Sequence, residues 1–217
     1  MIKIIKSKEY KNMPWKNGLG TTYEVAIYPK EAQLVKCDFQ WRLSSAHILN
    51  NNSFSTFNGY SRILIVWKGD GLILNDKKLL PMVPYQFSGD DKIDCSLIKD
   101  EVFDLGLIYK STEFNASIKV YNFSANQNFV NLNLDDEVNF IFCSSCKLTV
   151  HAAPDMKNQN EIKNLNKKVN DYNFNKFYLN IMDTAQVSGK ITVNLIEQSQ
   201  INVMAQFILI SIKKLNY

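Results

Sequence analysis

Apolar and polar residues alternate along most of the chain with a period of two, the spacing that places successive side chains on opposite faces of a strand. From Thr21 to Tyr28 this sets Tyr23, Val25 and Ile27 against Thr22, Glu24 and Ala26. From Phe39 to Leu49 it sets Phe39, Trp41 and Leu43 against Gln40, Arg42, Ser44 and Ala46. Ser61 to Trp67 is apolar on both faces, as a strand covered on both sides is. It runs into Lys68-Gly69-Asp70-Gly71, a predicted hairpin turn leading to a strand at 71–74. Further strands are predicted at 93–98, 102–109, 117–123, 129–134, 138–143, 148–151, 176–182, 191–196 and 201–213. Only 155–172 hints at helical spacing, through Ile162, Leu165, Val169 and Tyr172, but Asn, Gln and charged residues crowd it and it reads as a polar insertion. Many short strands at intervals of about 8 to 12 residues predict an all-β chain of sandwich or barrel type. The apolar run that ends near Lys110 divides it into 1–112 and 113–217, each with strands enough for a small barrel.

Composition fits that reading. Of 217 residues, 46% are hydrophobic and 21% charged, which supplies a core and argues against disorder. The net charge of +4 is spread thinly and carried by Lys, and Arg42 and Arg62 are the only arginines. Nucleic-acid binders cluster their basic residues and favour Arg, so no nucleic-acid partner is expected. No apolar run approaches the roughly 18 to 20 residues of a membrane span, and the first residues do not read as a secretory signal. The four cysteines form no secreted-domain framework, so a cytoplasmic protein without a membrane partner is the expectation.

The chemistry-bearing residues are few. Cys143-Ser-Ser-Cys146 is a lone CxxC at a strand end, short of two ligands for zinc and without the helix of a redox site, so its thiols are expected to be inert. Two histidines, His47 and His151, in no His-x-His arrangement, argue against a metal site. No nucleophile motif is visible, and no cofactor is expected. Met13 to Glu24 (MPWKNGLGTTYE) places Lys16 and Asn17 on a glycine turn before a strand carrying Thr22 and Glu24. Lys precedes the glycines and a strand follows them, which is not the order of a phosphate loop. Arg42 shares a strand face with Ser44, opposite Trp41 and Leu43. Arg62 opens a strand apolar on both faces, where a charge must be paired or hydrated. It either pairs internally, with Asp104 or Glu24, or binds a ligand carboxylate through its planar fork.

Taken together, MPWKNGLGTTYE, Phe39 to Ala46 (FQWRLSSA), Ser53 to Gly71 (SFSTFNGYSRILIVWKGDG), Pro84 to Asp90 (PYQFSGD) and Phe103 to Leu107 resemble the HutD/Ves family, in order and spacing, over about residues 10 to 110. The resemblance implies a cupin-like fold of two jelly-roll barrels from one chain, a bicupin without the metal-binding histidines of many cupins. It also implies a regulatory link to histidine utilisation, or to stress, through binding of a small acyl-amino acid. Where the family tends to have Gly, Arg, Arg and Asn, this chain has Leu19, Tyr23, Phe103 and Gly106. The last three exchanges are expected to reshape the pocket.

The leading expectation is a binder of a small anionic metabolite. Arg62 is its anchor, Asp104 and Glu24 orient that anchor, and Lys16, Asn17, Thr22, Arg42 and Ser44 line the site. Phe57 and Trp15 supply apolar walls. The alternatives are a metal-independent isomerase or hydrolase with Glu24 or Asp104 as base, and a structural protein whose strand charges are internal pairs. A homodimer is compatible with each.

Overall fold

A computed structural model describes residues 1–124, 127–152, 176–198 and 204–216. The polar insertion expected at 155–172 lies outside the described residues. In the first half, β1 (Ile2–Ile5), β2 (Lys11–Pro14), β3 (Gly20–Tyr28), β4 (Trp41–Ile48), β5 (Asn52–Ser53) and β6 (Ser61–Lys68) are followed by β7 (Leu72–Leu74), β8 (Lys77–Leu79), β9 (Tyr85–Ser88), β10 (Asp94–Leu97) and β11 (Val102–Tyr109). The second half holds β12 (Phe114–Asn122), β13 (Phe129–Cys143), β14 (Cys146–Ala152), β15 (Phe177–Leu179), β16 (Thr184–Gln198) and β17 (Gln206–Lys214). The described residues are all-β apart from two short 3₁₀ turns.

Three antiparallel sheets result. One runs β2-β3-β4-β11-β6-β9, a smaller one β5-β10-β7-β8, and the third β12-β17-β13-β16-β14-β15 with β1 added along β16. The first strand of the chain is therefore bonded into the sheet built mainly from residues after 113. Lys6 ties that end down, its ammonium 3.0 Å from Asp183 Oδ2, while the Ser7 amide donates to Asp183 Oδ1 at 2.9 Å.

The six-stranded sheet is covered on both faces, which is why β6 reads as apolar throughout. One face sends Trp41, Leu43, Ile63, Ile65, Trp67, Leu105 and Leu107 against Phe114, Ile118, Phe140, Phe142, Ile208 and Ile210 of the large sheet. The other sends Ala46, Ile48, Leu64 and Val66 against Leu72, Leu74, Leu79 and Cys95 of the small sheet. A third cluster, among them Ile141, Leu148, Ile191, Val193 and Phe207, fills the second half.

Three local expectations are corrected. Lys68–Gly71 is no hairpin turn, because β6 and β7 lie in different sheets and the segment is a corner between them. Gly69 adopts φ +104°, and a Cβ there would stand 2.8 Å from the Glu101 carbonyl oxygen, so the corner requires glycine. In β3 the period of two breaks: Glu24 pairs with Ser44 but Ala26 pairs with Leu43, leaving Val25 as the extra residue of a bulge. Ala26 thereby joins Tyr23 on the inter-half face, and Ile27 turns to the opposite side with Phe39, Phe57 and Tyr60. The two strands expected at 129–134 and 138–143 form one, with a register shift between Leu134 and Asn139.

Candidate functional site

On the face of the six-stranded sheet away from the large sheet lies a cavity of about 510 Å³, within the usual size of small-molecule sites, roughly 300 to 1,000 Å³. Its floor is β4, β6 and β11, and its rim is formed by 13–17 and 52–57. Every site residue expected from the sequence lines it except Glu24.

Glu24 stands behind the wall, paired with Arg42. Arg42 is 3% exposed; its Nε lies 2.7 Å from Glu24 Oε2, its Nη1 donates to Ser44 Oγ at 3.1 Å, and its Nη2 faces Met13 Sδ at 3.7 Å. The bulge at Val25 makes this pairing possible, since it sets Glu24 directly across from Ser44 in register. The expectation that Glu24 orients Arg62 is corrected accordingly: Glu24 neutralises the other arginine.

Arg62 has no such partner. Its Nη1 donates to the Ser55 carbonyl at 3.1 Å. Its guanidinium carbon sits 5.0, 5.6 and 4.9 Å from the ring centroids of Phe54, Phe57 and Phe87. Among the described residues no carboxylate lies within 4.0 Å of it. Cation–π contacts stabilise a charge without consuming its hydrogen-bond donors. Burial lowers the guanidinium from its ordinary range to about 10, opposed by the negative field of Asp104, and it keeps its charge at neutral pH.

Asp104 lines the same cavity and is 5% exposed. Its Oδ1 accepts the Ala46 amide at 2.9 Å, and Oδ2 makes no hydrogen bond among the described residues. A bulge at Trp67 of β6 frees the Asp104 carbonyl, which accepts Ser45 Oγ at 2.6 Å and Trp67 Nε1 at 3.0 Å. Burial pushes the carboxyl up to about 7, against the lowering effects of the Ala46 amide and the two arginines.

At the rim, Trp15 Nε1 donates to Thr22 Oγ1 at 2.8 Å, fixing both. Gly20 lets the indole lie against the strand, because a Cβ there would stand 2.9 Å from the ring and 2.5 Å from the His47 carbonyl oxygen. Lys16 is exposed, and Asn17 uses its Oδ1 to accept the Leu19 amide at 3.0 Å.

Two of the exchanges expected to reshape the pocket do not reach it. Tyr23 and Phe103 pack toward the inter-half core, and the Phe103 ring stacks on His47 with centroids 4.1 Å apart. Gly106 does line the cavity, with only Leu64 Cδ1, at 3.5 Å, inside ordinary contact distance of a Cβ placed there. Sequence reasoning missed the ring cage as a unit. Phe54 and Phe57 come from a loop and Phe87 from β9, so no strand period links them.

Elsewhere, Cys143 and Cys146 are buried, reduced and on facing ends of β13 and β14. Burial pushes the Cys146 thiol up to about 11 and the Cys143 thiol higher still, so neither forms a thiolate at neutral pH.

The HutD family model matches residues 7–191. The chain belongs to the HutD family. Over 126 residues it is 35% identical to an uncharacterised 21.2 kDa protein in the hutC 3′ region of Pseudomonas putida, a match spanning 56% of this chain and 65% of that relative, less than two thirds of its length. Among solved structures, the conserved protein PA5104 of Pseudomonas aeruginosa PAO1 superposes with a TM-score of 0.75 at 21% identity, over 98% of this chain and 99% of that one. HutD from Pseudomonas fluorescens SBW25, solved in a formate condition, gives 0.70 at 24% identity over the whole of both chains. At 8% identity, the nickel(II) complex of the bacterial pirin YhhW from Escherichia coli still gives 0.57 over 97% of this chain and 98% of that one. The HutD fold seen here is thus of cupin type. No helix among the described residues is long and apolar enough to cross a membrane.

Proposed function

We propose that this HutD-family chain is a metal-free two-barrel cupin whose first-half cavity binds a small carboxylate-bearing metabolite, acyl-amino acid-like, in a regulatory role connected with histidine utilisation. One observation carries the reading: Arg62 lines the cavity, is held by Phe54, Phe57 and Phe87, and lacks a carboxylate partner among the described residues. A half-buried cation in that state is stabilised by an anionic guest, which a guanidinium grips with paired hydrogen bonds. Arg42 is already neutralised by Glu24, so it serves as wall and donor support rather than as anchor. The same pairing counts against Glu24 as a catalytic base and leaves Asp104 as the base of the enzymatic alternative.

A thermal-shift screen of acyl-amino acids and dicarboxylates tests this on wild type and Arg62→Ala. At a hundredfold excess over Kd, a guest adds about 2.7 kcal/mol, roughly 5 to 10 °C for a chain of this size. A saturable rise in wild type that Arg62→Ala lacks is expected. Equal responses from both proteins remove Arg62 from the role.

A further inference from the structure

We propose that the site takes its carboxylate together with one proton, carried on Asp104, which makes Asp104 the residue that selects how the guest's charge is received. The proposal rests on the reading of Arg62 as a carboxylate anchor.

The geometry is that of two acids meeting in one enclosed space. Asp104 and Arg62 line the same cavity, yet no ion pair within 4.0 Å joins them. Asp104 Oδ1 is fixed by the Ala46 amide, and Oδ2 has no hydrogen bond among the described residues. A guest carboxylate on Arg62 brings a second negative charge into that volume, and two carboxylates sharing a buried site bind a proton between them. A protonated Asp104 then offers an O–H donor to the guest instead of a repelling charge.

The surroundings leave Asp104 as the group that takes the proton. From β6 it faces Arg62; from β4, Arg42, whose charge Glu24 of β3 offsets at 2.7 Å. From β10 it faces the Cys95 thiol, which burial pushes up to about 12 and so keeps neutral. On the opposite face of the sheet, His47 lies 3.1 Å from Glu101 and Lys68 covers Phe103. Lys16 stands exposed on the rim. With Asp104 ionised, the four inner charges sum to zero and a carboxylate guest makes the cavity negative. With Asp104 protonated, Arg62 is the uncompensated charge and one guest neutralises it. Above about pH 8, where the empty site has lost its proton, solvent supplies one proton for each carboxylate bound; below about pH 6 Asp104 already carries it. Burial already holds the empty-site carboxyl near 7, so the proton is available at neutral pH.

Acetate and formate, up to about 100 mM, are suitable probes on the full chain, followed by NMR and by calorimetry in two buffers of different ionisation enthalpy. The expected result is an affinity that falls above about pH 7, approaching tenfold per pH unit, with proton uptake rising from near zero below about pH 6 toward one per acetate above about pH 8. Asp104→Asn is expected to flatten the profile while keeping the low-pH affinity, since its amide donates in place of the acid. A wild-type affinity unchanged from about pH 6 to pH 9, or an equal slope in Asp104→Asn, overturns the proposal while leaving Arg62 as anchor. If Asp104→Asn does not fold, the buffer dependence of wild type decides alone. Absence of acetate or formate binding at every pH overturns the carboxylate reading of Arg62 itself.

Discussion

Arg42 and Glu24 close on each other, Nε to Oε2 at 2.7 Å, beside a cavity whose other guanidinium, Arg62, is left to phenyl rings and one backbone carbonyl. The chain's two arginines therefore differ in kind. The first is an internal ion pair that shapes the wall, and the second is a charge held ready.

Breaking the first pair is costly. Glu24→Gln leaves Arg42, 3% exposed, as an uncompensated buried cation. Loss of about 3 to 5 kcal/mol is expected, read as a fall of roughly 10 °C in Tm. Replacing both partners, as Arg42→Met with Glu24→Leu, is expected to recover most of it. Calorimetric melting of the three proteins checks the order.

Two glycines of the site carry opposite expectations. Gly20→Ala drives a methyl into the Trp15 ring and the His47 carbonyl, so a loss of about 1 to 3 kcal/mol is expected together with weaker ligand binding. Gly106→Ala meets nothing closer than 3.5 Å, and removing a strand glycine stabilises by about 0.5 to 1 kcal/mol. Chemical denaturation of both variants separates a required glycine from an open one.

Asp104 sets a pH dependence of stability. Its carboxyl rises on folding from an ordinary 3.8 to about 7, so between those values the folded state holds a proton the unfolded state has lost. Stability is therefore full at the acid end of that window and declines as pH rises toward 7. Asp104→Asn removes this decline. Its Tm relative to wild type is expected to be higher at pH 8 than at pH 5, and a constant difference would contradict the assignment.

Much of this was legible in the sequence because it rests on local pattern. Val102 to Tyr109 matches β11 end to end, and the double-sided apolarity of 61–67 follows from burial between two sheets. The scarcity of arginine singled out both guanidiniums. What escaped depends on residues brought together from afar. The bulge at Val25 turns Ala26 and Ile27 to faces the alternation does not give them. The corner at 68–71 looks like a hairpin because its glycines report tight backbone but not which sheet comes next. β5 and β8, of two and three residues, are too short to show a period. Asp104 fitted Arg62 as a partner by pattern, whereas the register across β3 and β4 gave Glu24 to Arg42.

The thiols supply an independent check on the packing. Cys37 is exposed, and Cys95, Cys143 and Cys146 are buried. A thiol reagent at neutral pH is expected to modify Cys37 alone in the native protein and all four cysteines after denaturation. Rapid native reaction at Cys143 or Cys146 would contradict the arrangement of the β13–β14 ends.

With two arginines in the chain, a guanidinium ¹H–¹⁵N spectrum holds two Nε–Hε signals, and Arg42→Lys assigns them by removing one. Titrating acetate into this protein while watching that pair tests the central claim most directly. A saturable shift of the Arg62 signal, with Arg42 still locked to Glu24, is the predicted result. Movement of Arg42 alone, or of neither signal, would contradict it.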